Sequence, residues 1–353
     1  MEKSELYNPP LQSAKEYWDG RIDDTENFKS FRWHQWIDFI DLTDDNKLIS
    51  NDIMGFCFLG FCCDKGVVRN KGRAGAAKGP KAIRREISNL PCRFSQDVKL
   101  FDAGDIVVGD RELEDAQQAL SEAVEEILAL GLFPILLGGG HEIAFGHYNG
   151  ITSYLEKMKK DDNYLGIDQK EVETEDNKNI GIVNFDAHFD IRPYPDGGNS
   201  GTMFRQIADK CDRNDDSFDY FCMGIQKYGN TISLFEKAEE LGTEYVLAKN
   251  IDDFNLFDIL DRLNEFITEQ DHIYLTICSD VFSSAYAPGV SASHSLGLEP
   301  EIVLKLIKHI IKTDKVISFD IAEVSPRFDM DNSTAHLAAI IIFAVIEAFV
   351  GNE

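Results

Sequence analysis

The sequence predicts an α/β protein built on a mostly parallel β-sheet that helices cover on both faces. Short apolar runs alternate with longer segments of helical pattern, which is typical of βαβ units. Several of the short runs are apolar almost throughout. Such runs are expected where a strand is buried by helices on both sides of the sheet.

The order of these segments along the chain defines the predicted elements. Strands are predicted at 53–61, 133–137, 180–185, 217–224, 273–278 and 316–320. Helices are predicted at 79–88, 112–130, 233–241, 254–269, 299–312 and 332–350. Neither an internal repeat nor a linker divides the chain. We therefore predict a single domain over 51–353, an N-terminal appendage over 1–50 packed on it, and a polar surface insertion near 156–179.

Composition and charge limit the partners of the protein. The chain of 353 residues carries 62 acidic and 35 basic residues, for a formal net charge of −27. Such a surface repels phosphates, which argues against nucleic acid and anionic lipid as partners. The seven cysteines form no CxxC pair, and the apolar stretch at 337–350 is short for a membrane span. We therefore predict a cytoplasmic protein whose partner is a small-molecule substrate.

Reactive residues follow four of the apolar runs, where ligands collect in an open parallel sheet. The four segments are GGGHE (138–142), NFDAHFD (184–190), TICSD (276–280) and DIAEVSP (320–326). In the second segment, Asp186, His188 and Asp190 alternate and so share one face of an extended chain. Carboxylate and imidazole together suit Mn²⁺, Zn²⁺ or Fe²⁺. The competing interpretation is a strand end exposed to solvent, with an aspartate that caps the next helix. Three ionisable residues directly after a buried apolar strand argue against it, because burial of unpaired charge is costly.

The ordered segments resemble those of the ureohydrolases, the family of arginases, agmatinases and formimidoylglutamases. The resemblance covers about residues 50 to 350 and implies one three-layer α/β/α domain with an eight-stranded, mostly parallel sheet. It also implies two bridged Mn²⁺ ions and a homo-oligomer. The metal ligands that it implies are His141, Asp186, His188, Asp190 and Asp280.

Cys278 departs from this pattern, because the family has a bridging aspartate at that position. A thiolate binds metal but favours softer ions than Mn²⁺. Three outcomes are open, namely a thiolate bridge, a site with one weakened metal, and an inactive descendant. We predict that Cys278 lies in or near the ligand shell.

The resemblance also implies a reaction in which a metal-bound hydroxide attacks an amidine or guanidine carbon. Asp190 would orient that hydroxide as well as bind metal. Glu323 would bind the cationic –NH– and –NH₂ groups of the substrate through a charge-assisted contact. Taken alone, Glu323 is more often a surface or capping acid, but it too follows an apolar strand.

Within the family, several segments resemble those of the formimidoylglutamases, including GGGHE, residues 64–76, SGTMFRQI (200–207) and APGVSA (287–292). Phe204 stands where arginases carry a histidine, which argues against arginine as the substrate. N-Formimidoyl-L-glutamate carries two carboxylates and therefore needs local cations in this acidic protein. The candidate substrate-binding residues are Arg192, Arg69, Arg73, Asn199 and Ser200.

Two rival functions remain open. One is another ureohydrolase reaction, on agmatine or a guanidino acid, and the other is a pseudoenzyme that binds an amidine without turnover. Each arginine taken singly is more often part of a surface or loop-bracing ion pair, but Arg192 lies two residues beyond the proposed ligand Asp190 and is the best placed to bind substrate. The histidines without matching spacing are interpreted as structural or surface residues, and they are His34, His147, His272, His294, His309 and His336.

Overall fold

The structure is a computed structural model that describes residues 5–10, 17–44, 47, 49, 53–164 and 179–351. Its strands are β1 (Tyr7–Asn8), β2 (Ile37–Phe39), β3 (Met54–Cys62), β4 (Val98–Val107), β5 (Phe133–Leu137), β6 (Ile180–Phe185), β7 (Asp219–Ile225), β8 (Glu244–Leu247), β9 (His272–Cys278) and β10 (Val316–Ala322). Its α-helices are α1 (Lys65–Arg69), α2 (Gly79–Ile87), α3 (Leu113–Ala129), α4 (Ile143–Tyr164), α5 (Met203–Asn214), α6 (Ile232–Glu240), α7 (Leu256–Thr268), α8 (Pro300–Ile311) and α9 (Ser333–Val350).

All ten strands form one sheet in the order β1-β4-β3-β5-β10-β9-β6-β7-β8, with β2 also paired to β4. Every pairing is parallel except that of β1 with β4. Two apolar clusters pack on opposite faces, one including α7, α8 and α9 and the other including α3, α4 and α5. The predicted three-layer α/β/α architecture is confirmed, with ten strands in place of about eight.

Three of the strands that were not predicted are β1 and β2 of the N-terminal segment and β4. Strands β1 and β2 are too short to show a pattern, and both pair with the edge of β4. Strand β4 was not predicted because acidic residues interrupt its apolar run. One of them, Asp102, is buried and accepts hydrogen bonds from Arg84 Nε and Nη2, both at 2.8 Å. A buried charge is tolerated in a strand when it is paired in this way.

Residues of the predicted appendage pack on the core. Trp18 Nε1 donates to Asp102 Oδ2 at 2.6 Å, and the fully buried Trp33 donates to Pro91 O at 3.1 Å. The predicted domain boundary between residues 50 and 51 lies outside the described residues. So does most of the predicted insertion at 156–179, although its first residues continue α4.

Helix α4 was missed because its first turns contain glycines. Gly146 and Gly150 face α3, where a Cβ atom on Gly146 would lie 2.7 Å from the carbonyl oxygen of Gln117. Glycine weakens a helix in isolation but allows this close helix–helix approach. Helix α5, also unpredicted, buries an amphipathic face through Phe204 and Ile207.

By length and composition, α9 could cross a membrane, contrary to the prediction that its apolar stretch is too short. In the structure it is a core helix, since 56% of the apolar window is buried. It packs against α2 and α8, and Ala335, Ala339 and Ile342 are fully inaccessible to solvent. Apolar composition here therefore reflects burial within the protein.

The strand order determines where the reactive segments meet. Strands β5, β10, β9 and β6 are consecutive neighbours at the centre of the sheet. Because these strands are parallel, their carboxyl ends lie at the same edge. The four segments singled out in the sequence follow these same four strands.

Candidate metal centre

A glycine turn after β5 brings His141 to the sheet edge. Gly139 N donates to Phe61 O at 2.8 Å, and a Cβ atom on Gly139 would lie only 1.8 Å from Cys63 O. The turn therefore requires glycine at this position. It places the His141 ring beside the carboxylates that follow β6.

The proton on His141 can be assigned from its neighbours. Thr276 Oγ1 donates to Asp320 Oδ1 at 2.7 Å, so it must accept from His141 Nε2, which lies 3.0 Å away. In a neutral ring the lone pair is then on Nδ1. That atom lies 2.9 Å from Asp186 Oδ2 and 3.3 Å from Asp190 Oδ2, and it makes no hydrogen bond within the described structure.

A lone pair that faces two carboxylates demands a positive charge between them. Burial alone lowers the pKa of His141, but Asp186 and Asp190 outweigh it and raise that pKa well above its usual value. A proton meets the demand when no metal is bound, and a divalent cation would replace it. Histidine nitrogen with two carboxylate oxygens is a donor set that divalent metals accept.

The side chain of Cys278 joins this first group. Donor atoms of His141, Asp186 and Cys278 all lie within 4.8 Å of one another, and all three residues are buried. Burial and then the charges of Asp186 and Asp280 raise the pKa of the Cys278 thiol well above its usual range. The thiol becomes a thiolate ligand only when a cation offsets these charges.

A second group lies next to the first. His188 Nδ1 is 3.2 Å from Asp280 Oδ2 and 3.5 Å from Asp186 Oδ1. Donor atoms of His188, Asp280 and His294 lie within 4.8 Å of one another. Asp280 Oδ1 is buried and has no hydrogen-bond partner among the described residues. The two groups thus fit two divalent cations, with Asp186 in contact with both histidines.

Asp190 and Glu323 both have left-handed backbone conformations, with φ of 52° and 66°. Such angles are uncommon outside glycine and concentrate at functional sites. Glu323 is held by two contacts, since its N donates to Gly139 O at 2.8 Å and its Oε1 accepts from His141 N at 3.1 Å. Its buried Oε2 has no partner in the described structure. Burial, together with the charge of Asp186, raises the pKa of Asp190 to about 6.

A buried hydrogen-bond network orients His141 from behind. Asp320 Oδ2 accepts from Tyr274 Oη at 2.5 Å and lies 2.6 Å from His147 Nδ1, while Oδ1 holds Thr276. His147 and Asp320 are fully buried. His147 is therefore a structural residue, as predicted, and it supports the tautomer that a metal ligand needs.

A cavity of about 310 Å³ opens beside these groups. Its lining comprises Asn70, Lys71, Gly72, Arg73, His141, His188, Asp190, Arg192, Ser200, Cys278, Asp280, Ser291, Ala292 and Glu323. The lining combines the acids and histidines described above with three cations, namely Lys71, Arg73 and Arg192. A ligand in this cavity would therefore meet side chains of both charges.

The predicted substrate-binding residues are distributed unevenly. Arg192 and Ser200 line the cavity, and Arg192 is exposed there. Arg73 also lines it, but donates to Ser291 O at 2.9 Å and Val290 O at 2.7 Å and covers the Phe328 ring. These contacts hold Arg73 against the backbone of Val290 and Ser291, so its guanidinium is already paired.

Two predicted residues are absent from the cavity lining. Arg69 pairs with Glu112 and Glu114 at 2.8 Å and 2.6 Å. The Asn199 side chain accepts from Gly201 N at 2.9 Å and shapes its own turn. Both residues hold the loops on which the lining residues lie.

Sequence reasoning missed three residues at the site. Asn70 and Lys71 line the cavity, and Asn70 Nδ2 donates to Ser200 Oγ at 3.2 Å. His294 was interpreted as structural or surface, and it lies in the second group. Lys71 and Asn70 are within the segment 64–76 that already resembled the family, whereas no spacing signal marks His294.

Comparisons with known proteins identify the family of the chain. Residues 54–347 match the model of the arginase family. Formimidoylglutamase of Clostridium tetani is 55% identical over 334 residues, which cover 94% of each chain. Formimidoylglutamase of Geobacillus thermodenitrificans is 39% identical, with 95% of each chain covered.

Solved structures share the fold. The crystal structure of formimidoylglutamase from Bacillus subtilis has a TM-score of 0.75 at 19% identity and covers 96% of this chain and 99% of its own. Trypanosoma cruzi formiminoglutamase with Mn²⁺ has a TM-score of 0.70 at 22% identity and covers 87% of this chain and 97% of its own. The chain belongs to the arginase family, and within it to the formimidoylglutamases.

Proposed function

We propose that this protein hydrolyses N-formimidoyl-L-glutamate to L-glutamate and formamide. The observation that carries the proposal is the cavity, whose lining combines acids and histidines with the cations Arg192 and Lys71. The substrate has matching ends, since its amidine head is cationic and its tail bears two carboxylates. Relatives that cover nearly the whole chain are named formimidoylglutamases. The seven free cysteines support a reducing, cytoplasmic location.

We propose that His141, Asp186, His188, Asp190, Cys278 and Asp280 hold two divalent ions. Mn²⁺ is the first metal to test, because a formiminoglutamase structure contains it. Two bound ions would lower the pKa of a shared water and stabilise developing negative charge. Side chains of the protein would bind the substrate and transfer the proton.

Glu323 binds the amidine head in this scheme. Its partnerless Oε2 accepts an N–H of the amidinium, while its Oε1 stays bonded to His141 N. Burial and the charges of Glu142 and Asp280 raise the pKa of Glu323 well above its usual range, so its carboxyl group ionises as the cationic head binds. The bond is then charge-assisted on both sides and stronger than a neutral hydrogen bond. The bonded backbone fixes Glu323 in a strained conformation before substrate arrives.

Asp190 handles the proton. The attacking water forms a C–O bond to the formimidoyl carbon and gives up a proton, which the Asp190 carboxylate accepts. Asp190 passes that proton to the glutamate nitrogen, and the C–N bond then breaks. As the C=O bond of formamide forms, the hydroxyl proton passes to the released amine, which leaves as the ammonium group of glutamate. In the protein without bound metal, burial and the nearby Asp186 raise the pKa of Asp190 to about 6.

Arg192 and Lys71 bind the substrate carboxylates. Both are exposed at the cavity, and Asn70 and Ser200 add hydrogen-bonding groups on the same side. Phe204 is buried and stacks on Tyr220 with a centroid distance of 4.5 Å. It offers no proton-transferring group at the position where arginases have histidine.

The test is release of formamide and glutamate from N-formimidoyl-L-glutamate by purified, Mn²⁺-loaded protein. Equimolar release that a chelator abolishes is the expected result, with Asp190→Asn as the inactive control. Hydrolysis of agmatine or a guanidino acid instead would replace the substrate assignment. A protein that binds metal and substrate but hydrolyses neither formimidoylglutamate nor a guanidine compound would be a pseudoenzyme and would contradict the proposal.

A further inference from the structure

We propose that His294 is a ligand of the second metal ion, in a position that the family resemblance does not assign. This inference rests on the proposed function, because it concerns the metals at the same site. It makes the second site one with two histidines, namely His188 and His294, and the carboxylate of Asp280.

The first argument is proximity to the other donor atoms. One donor atom from each of His188, Asp280 and His294 lies within 4.8 Å of the other two. Ligands of a single divalent ion lie at most about 4.4 Å apart, since metal–nitrogen and metal–oxygen bonds are about 2.0–2.2 Å, so small shifts of these side chains would let all three bind one ion. The His188 and His294 rings are 5.0 Å apart and tilted by 55°, so they do not stack face to face.

The second argument is an unsatisfied nitrogen. His294 is 93% buried, by its relative exposure of 7%, and its Nε2 makes no hydrogen bond within the described structure. A buried polar atom without a hydrogen-bond partner destabilises the folded protein. A metal ion bound at this nitrogen would remove that cost.

The third argument is a rigid backbone. Ser284 N donates to His294 O at 2.7 Å, and Leu298 N donates to Val281 O at 2.8 Å. Gln226 Nε2 holds the same loop through Leu296 O at 2.6 Å. The loop is thus tied to the chain just after Asp280, which keeps the His294 ring next to the ligands that end β9.

The fourth argument comes from Cys278. The thiol belongs to the first group, with His141 and Asp186, and the second group contains no cysteine among the described residues. A carboxylate at position 278 could give an oxygen to each metal, whereas the Cys278 sulfur lies with the first. His294 would supply the second metal with a nitrogen ligand in place of the oxygen that a carboxylate at position 278 could provide.

The geometry argues against a role for His294 in binding substrate. The described residues that line the cavity include His188 and Asp280 but not His294. The His294 ring also lies near the Tyr228 ring, with a centroid distance of 5.6 Å.

The experiment is a titration of metal-free protein with Co²⁺, followed by its visible absorption, and a competition for Zn²⁺ against a chromogenic chelator. The variants are His294→Ala and the more conservative His294→Asn. His309→Ala is the matched control, because His309 bonds to Asn264 on a helix face away from the site. Thermal unfolding of each metal-free variant verifies that it folds.

The expected result is two bound equivalents in the unchanged protein and in His309→Ala. In both His294 variants, the second equivalent should bind at least about tenfold more weakly, since loss even of an outer-shell partner costs 10–100-fold. The first equivalent should keep its near-ultraviolet sulfur-to-cobalt band, which Cys278→Ala should remove. This band separates the two sites without measuring activity.

Equal affinity for both equivalents with and without His294 would overturn this inference and leave the proposed function standing. Protein that binds two equivalents in this way but hydrolyses no amidine would overturn the proposed function alone. Failure of the unchanged protein to bind Co²⁺ or Zn²⁺ at all would overturn both.

Discussion

Thr276 joins His141 to Asp320, with its Oγ1 3.0 Å from His141 Nε2 and 2.7 Å from Asp320 Oδ1. The hydroxyl can donate to only one of them, and the carboxylate cannot donate. The arrangement therefore directs the free lone pair of His141 toward Asp186 and Asp190. A side chain outside the ligand set thus decides which nitrogen of His141 faces the metal.

We expect Thr276→Val to weaken metal binding by about 10–100-fold, as losses of outer-shell partners do. Valine preserves the shape but leaves His141 Nε2 and Asp320 without a shared partner. Metal affinity by chelator competition measures the effect, and Thr276→Ser, which keeps the hydroxyl, is the control. Equal affinity in all three proteins would contradict this role.

Metal affinity should rise with pH across the neutral range. Burial lowers the pKa values of His141 and His188, but the neighbouring aspartates outweigh it and raise both well above the usual value. The metal-free rings therefore hold protons that bound metal must displace, so affinity falls as pH falls. Calorimetry in buffers of different ionisation enthalpy measures this proton release. Affinity that stays flat from about pH 5 to about pH 8 would contradict histidine ligation.

Arg192→Ala should raise KM for N-formimidoyl-L-glutamate and change kcat less. A hydrogen bond to a charged group contributes about 1.5–3 kcal/mol, which corresponds to roughly ten- to hundredfold in KM. Arg205→Ala is the matched control, because Arg205 pairs with Asp209 at 2.9 Å on α5. Steady-state kinetics decides the matter, and an unchanged KM would remove Arg192 from substrate binding.

Arg192→Glu extends the same test to the rival substrates. A glutamate should repel the carboxylates of formimidoylglutamate more strongly than alanine does. It should favour a substrate with a cationic tail, such as agmatine. Activity on agmatine in the unchanged protein, lost in the glutamate variant, would be the opposite of this expectation.

Cys278→Asp should shift metal preference toward Mn²⁺. A thiolate favours softer ions, whereas a carboxylate suits Mn²⁺ and can bridge two metals. The ratio of Zn²⁺ to Mn²⁺ affinity should therefore fall, and Cys278→Ser serves to separate loss of sulfur from gain of carboxylate. An unchanged ratio would place Cys278 outside the ligand shell.

Arg84→Ala should destabilise the fold strongly. Its side chain is 2% exposed and bonds to Asp102 and Asp105 at 2.6–2.8 Å. Removal of one partner from a buried ion pair costs about 3–5 kcal/mol, because the other charge stays buried. Urea unfolding measures the loss, and the exposed neighbour gives the control Arg85→Ala, which should change the free energy of unfolding by less than about 0.5 kcal/mol.

Sequence alone determined the fold class and most of the central elements. Strands β5, β6, β9 and β10 were predicted within a few residues, because helices bury both faces and each strand is mostly apolar. The same pattern locates reactive residues such as His141 and Glu323, since polar side chains that follow buried strands must meet at one edge. Strand β4 escaped prediction because its acids, including Asp102, become acceptable only once Arg84 pairs with them.

Tertiary structure alone decided which charges are available and which are already paired. Arg69, Arg73 and Arg192 are all candidates in the sequence, although Arg192 is the best placed of them. The structure shows that Arg69 bonds to two glutamates and Arg73 to backbone carbonyls, while Arg192 is exposed at the cavity. His294 likewise reaches His188 only because a loop folds back on the end of β9. Contacts between residues that are far apart in the chain produce no repeating pattern in the sequence. They therefore cannot be predicted from the order of the residues alone.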